Sequence, residues 1–175
     1  MSLQSDIEAW DGQSVEALRR IHEAHRDDPG LAPALVELMG SLRYRMAATR
    51  LLKRHFEAGI PVPDPHAVAQ GMCAALDKLE HWECRLDALQ CLPSLPIDED
   101  QAAAVERFLR ACLADGNKFV RAWAYAGIHW LAARRPRFAA EAAAILEAGL
   151  RDEPASVKAK IRKCLEDVGQ AGNAD

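Results

Sequence analysis

Threonine occurs once in this chain, and valine, isoleucine and threonine together make up only 16 of its 175 residues. So few β-branched side chains exclude a core built of strands. The 33 alanines point to helix, because alanine loses no side-chain entropy there. No run of 18 apolar residues exists, so no membrane-spanning segment is expected. The opening "MSLQSDIEAW" holds no basic segment followed by an apolar one, which sets the expectation of a cytoplasmic protein. A glycine-rich phosphate loop, GxSxG, HExxH and CxxC are all missing. The chain is therefore read as non-catalytic, with no cofactor and no metal. Cysteine is present but odd in number, at Cys73, Cys84, Cys91, Cys112 and Cys164. Each falls inside a helix-like segment and reads as a small reduced hydrophobe rather than half of a disulfide.

What the chain does have is punctuation. Nine prolines fall where helices start or connect, since proline is tolerated in the first turn and not in the interior. Between them the pattern predicts helices over 14–28, 31–40, 43–58, 65–79, 81–92, 98–114, 117–134, 136–151 and 154–167. "GIPVPDP" (59–65) is too short to separate independent domains. One domain over 1–168 and a flexible tail over 169–175 are expected.

The segments "RYRMAATRLLKRHF", "ECRLDALQCLPSL", "FVRAWAYAGIHWL" and "SVKAKIRKCLED" superpose on a basic residue: Arg45, Arg85, Arg121 and Lys158. Three residues on stand Ala48, Ala88, Ala124 and Ile161; seven on stand Leu52, Leu92, Ile128 and Leu165. A period in the high thirties, with two helices per unit, is the signature of an α-solenoid. The pattern resembles HEAT repeats, whose second helix opens with an aspartate, a Val-Arg or Val-Lys pair and a small residue. Asp115, Val120, Arg121 and Ala124 match in order, as do Asp152, Val157 and Lys158. The resemblance covers about residues 30–167 and implies an all-α, right-handed solenoid of about four helical hairpins. Such repeats serve as scaffolds, transport receptors and occasionally enzymes, so the resemblance does not fix a function.

On a helical wheel of 117–134, Val120, Ala124, Ile128 and Leu131 form the core stripe. Phe119, Trp123 and Trp130 lie on one flank, where a neighbouring repeat is expected to stack. Lys118, Arg121, Tyr125 and His129 lie opposite and are expected to line a concave groove. Charge segregates in support. Residues 43–58 carry five basic side chains and one acidic, 116–137 carry five basic and none acidic, and 154–163 carry four basic. Residues 1–42, 93–115 and 138–153 are each net acidic.

The expected binding face is therefore Arg45, Lys53, Lys118, Arg121, Tyr125, His129, Lys158 and Arg162. For the Arg121 and Lys158 rungs a structural role competes, pairing with Asp115 or Asp152 to tie repeats together. The leading function is a scaffold holding an acidic protein segment in a basic groove. The alternative is a nucleic-acid-binding protein, a divergent HEAT-like DNA glycosylase included, although no well-placed groove carboxylate was found except Glu166. His22 and His25 on one helix, and His81 with Cys84 and Cys91, are weak ligand patterns without a third donor, and packing explains them better.

Overall fold

A computed structural model describes residues 2–171, with side chains through 166. Among these residues the chain is all-α: ten α-helices and three single 3₁₀ turns, with no strand. They are α1 (Leu3–Glu8), α2 (Val15–His25), α3 (Leu31–Leu38), α4 (Arg45–Glu57), α5 (Pro65–Ala75), α6 (Trp82–Cys91), α7 (Glu99–Leu113), α8 (Lys118–Arg134), α9 (Ala139–Asp152) and α10 (Ala155–Ala171). Residues 169–171 of the expected flexible tail thus continue α10, and 172–175 lie outside the described residues. No described helix is long and apolar enough to cross a membrane.

The starts are written locally. Ser14 accepts the amide of Ala17, Asp64 that of Ala67 ahead of Pro65, and Asn117 that of Phe119. Each fills one of the four amides a helix start leaves open. Asp98 and Gln101 exchange side-chain bonds with each other's amides at 2.9 and 3.1 Å, a reciprocal cap opening α7. That is a capping role for Asp98 beyond the dipole complement that the acidic cluster 98–100 supplies.

The chain divides into two compact units, residues 1–101 and 102–175. In the first, α4 packs against α2, α3 and α6, while α3 also packs against α5. Its fully buried side chains include Leu35, Leu51, Leu52, Met72, Leu76 and Leu89. In the second, α8, α9 and α10 pack against one another. Ala124, Ile128 and Leu131 are buried there as the core stripe requires, and Leu113 and Leu150 are partly buried.

The four free cysteines Cys73, Cys84, Cys91 and Cys112 are buried and Cys164 is half-buried. Burial pushes the Cys73 thiol up to about 11 and raises those of Cys84 and Cys91. These are inert thiols at neutral pH.

Candidate functional site

The basic ladder has a common structural job. Arg45 Nε donates to the carbonyl of Met39 at 3.0 Å, and Arg85 Nε to that of Leu79 at 2.7 Å. Arg121 donates to Asp115 O at 2.9 Å and Gly116 O at 3.2 Å, and Lys158 to Arg151 O at 2.7 Å. Each side chain reaches back six or seven residues to the end of the preceding helix. Carbonyls there have no intrahelical partner and carry the negative end of the helix dipole, so a cation fits them. The partner found at all four rungs is backbone. Arg121 adds a carboxylate, Glu153, which accepts from its Nε at 2.9 and 3.1 Å and from Nη2 at 3.0 Å. That hydrogen bonding raises the Arg121 guanidinium further above its ordinary value.

Of the face expected to be open on α8, Tyr125 is the member that neighbouring helices cover. Tyr125 is 8 % exposed and belongs to a core cluster with Ala122, Leu146, Val157 and Ile161. Its hydroxyl donates to Glu153 at 3.3 Å. Burial, then the Glu153 charge, raises the phenol. His129 is half-buried, and its Nε2 makes no hydrogen bond among the described residues. The opposite flank is partly open. Phe119 is 56 % exposed. Trp123 and Trp130 are half-buried, with Lys160 Nζ 3.7 Å from the centroid of the first and the Arg134 guanidinium 4.8 Å from that of the second. Lys118 lies 5.4 Å from the Phe119 ring.

Lys118, Arg162 and Lys163 are exposed and make no ion pair among the described residues. Of the expected face, the second unit thus leaves Lys118 and Arg162 open. It engages Arg121, Tyr125 and Lys158.

In the first unit, Lys53 does not face solvent alone. It lies in a cleft of about 430 Å³ with Arg50 and Arg54 of α4 and Trp82, Glu83 and Asp87 of α6. Arg50 meets Glu83 at 2.8 Å and Asp87 at 3.6 Å; Lys53 meets Asp87 at 3.5 Å and Glu57 at 3.8 Å. Asp87 is 5 % exposed, and its Oδ2 accepts no hydrogen bond among the described residues. Burial raises its carboxyl, and Lys53 and Arg50 only partly offset that. Sequence reasoning missed this group. The available signal was Arg50, Lys53 and Arg54 at i, i+3 and i+4, and Glu83 and Asp87 four apart on the following second helix.

The weak ligand patterns resolve into other roles. His25 Nε2 lies 2.6 Å from Asp6 Oδ2. His22 is buried edge-on to His55 with ring centroids 5.7 Å apart. His81 accepts the Glu83 amide at the start of α6 and stacks on Trp82. Comparison with family models, with curated proteins and with solved structures returns no match, so the reading of these surfaces rests on their geometry.

Proposed function

We propose that the chain is a HEAT-like α-solenoid acting as a non-catalytic binding module for an acidic protein segment. The repeat reading is supported by the recurrent cap. Arg45, Arg85, Arg121 and Lys158 each close the helix before their own, at the spacing that the superposed segments share. The reducing interior of the cytoplasm suits its five free cysteines.

The observation that carries the binding reading is the open charge of the second unit. Lys118, Arg162 and Lys163 are exposed without ion-pair partners among the described residues, in a chain whose formal net charge is −4. Phe119 and Leu165, the latter 41 % exposed, stand in the same unit as apolar anchors. A net negative protein repels a long polyanion, whereas a short acidic segment with apolar side chains matches both features.

The test is fluorescence anisotropy with two labelled probes, a Glu- and Leu-rich peptide and a single-stranded oligonucleotide, over a range of salt. The expected result is that the peptide binds the wild type with shallow salt dependence, and that Lys118→Glu with Arg162→Glu weakens it about tenfold or more. Oligonucleotide binding with a steep salt slope, and no peptide binding, would favour the nucleic-acid reading instead. Equal peptide affinity in the double reversal would remove these two cations from the site.

A further inference from the structure

The acidic-segment reading leaves the cleft between α4 and α6 unused, and its lining asks for a different ligand. Asp87 is a carboxylate 5 % exposed whose nearest cations, at 3.5 and 3.6 Å, stand beyond good hydrogen-bond length. A buried acceptor without a donor is costly, and native structures rarely leave one. The missing donor is a neutral one. The lining already balances Arg50, Lys53 and Arg54 against Glu57, Glu83 and Asp87, and a neutral donor leaves that balance undisturbed.

The remaining walls describe the rest of the molecule. Arg54 makes no ion pair among the described residues and offers charge for an anion, whereas Lys53 is held by Asp87 and Glu57. Trp82 is 38 % exposed, and with Val15 and Leu86 it gives the cleft a flat apolar wall. The cleft lies within the size range of small-molecule sites.

We infer that this cleft binds a small planar anion with a neutral N–H edge, of the class of a purine nucleoside monophosphate. The ring lies against Trp82, the N–H edge donates to Asp87, and the phosphate meets Arg54. Arg50 stays on Glu83 and positions the Asp87 carboxylate rather than touching the ligand. No bond is made or broken.

Isothermal titration calorimetry with GMP, guanosine and inorganic phosphate tests it on the full chain. Guanine presents two neutral N–H donors on one edge, and the other two probes each lack half of the recognition. Saturable GMP binding is expected, with guanosine and phosphate each weaker by about tenfold or more. Asp87→Asn should weaken GMP about tenfold or more by losing the carboxylate acceptor, and Arg54→Glu should abolish binding. Circular dichroism checks that the variants fold; if Asp87→Asn does not, Trp82→Ala takes its place, with the same loss expected. No saturable heat at millimolar GMP would overturn the proposal. So would unchanged GMP affinity in Arg54→Glu together with Asp87→Asn or its replacement. Neither result touches the acidic-segment reading, which rests on the other unit.

Discussion

Two basic segments, residues 43–58 in the first unit and 154–163 in the second, use their charge differently. In the first, the cations of α4 meet carboxylates of the neighbouring second helix: Arg50 faces Glu83 and Asp87, and Lys53 faces Asp87. In the second, Arg121 meets Glu153, Arg110 of α7 meets Glu141 of α9 at 2.7 Å and Lys158 caps a helix end, while Lys118, Arg162 and Lys163 remain open. The lesson is that a basic segment is not yet a basic surface. Residues 43–58 and 154–163 carry the same net charge along the chain. The acids that neutralise the first of them sit about thirty residues away, on α6.

The largest effect should come from breaking the buried pairing of the first unit. Arg50→Met removes the closest cation from Glu83 and leaves the buried Asp87 with Lys53 alone. It should cost about 3 kcal/mol, because an uncompensated buried charge is expensive. Urea unfolding measures it, and adding Asp87→Asn should recover much of the loss in a double-mutant cycle. Full additivity would mean that Arg50 and Asp87 do not interact, and that the first unit's charges are as open as the second's.

Next in size is the comparison along the ladder itself. Arg121→Ala strips Glu153, whose side chain is 11 % exposed, of its three guanidinium bonds as well as uncapping α7. It should cost about 2 kcal/mol, against about 1 kcal/mol for Arg45→Ala, whose hydrogen bonds go to carbonyls. Equal costs at the two positions would remove Glu153 from the account of the second unit.

Much of this fold was legible in the sequence. Proline positions and Ser, Asp and Asn caps act locally, so the expected helices lie within a few residues of the observed ones. The exception, α1, is six residues long with one buried anchor, Ile7, too short for a period to show. The ladder was legible as a period but not as a mechanism, because its acceptors are main-chain carbonyls that leave no trace in side-chain identity. The burial of Tyr125 was not legible for another reason. A wheel gives the angle of Tyr125, but which angular sector a neighbouring helix covers is set by tertiary packing. The Asp87 cleft needed two helices placed side by side, which no single segment encodes.

Acidification distinguishes the units through histidine. His22 and His55, both in the first unit, are buried, with His22 Nε2 and His55 Nδ1 unpartnered among the described residues. Burial lowers both pKa values, and for His22 the nearby His55, Arg54 and Arg26 charges lower it further. A folded pKa below the unfolded one means stability that is full above the unfolded value of about 6.5 and is lost as pH falls through the folded pKa. Melting temperature should therefore drop between neutral pH and about pH 5, by less than Arg121→Ala lowers it at neutral pH. Replacing the pair by His22→Leu and His55→Phe should flatten that slope; an unchanged slope would locate the acid sensitivity elsewhere.

The smallest effect is expected where the functional reading is concentrated. Lys118→Glu with Arg162→Glu reverses two exposed cations that hold no carboxylate and cap no helix among the described residues. Surface changes away from packed or paired groups stay within about 0.5 kcal/mol, so thermal and urea unfolding should scarcely move. Lys53→Glu is the matched change in the first unit. There the new carboxylate would face Asp87 and Glu57 across distances now bridged by an ammonium, at 3.5 and 3.8 Å. Like charges so close to a buried carboxylate destabilise, so this single reversal should cost more than the double one. If the double reversal in the second unit costs as much as Lys53→Glu, its cations are structural too. The contrast between the units then disappears, and with it the reason to look for an acidic partner there.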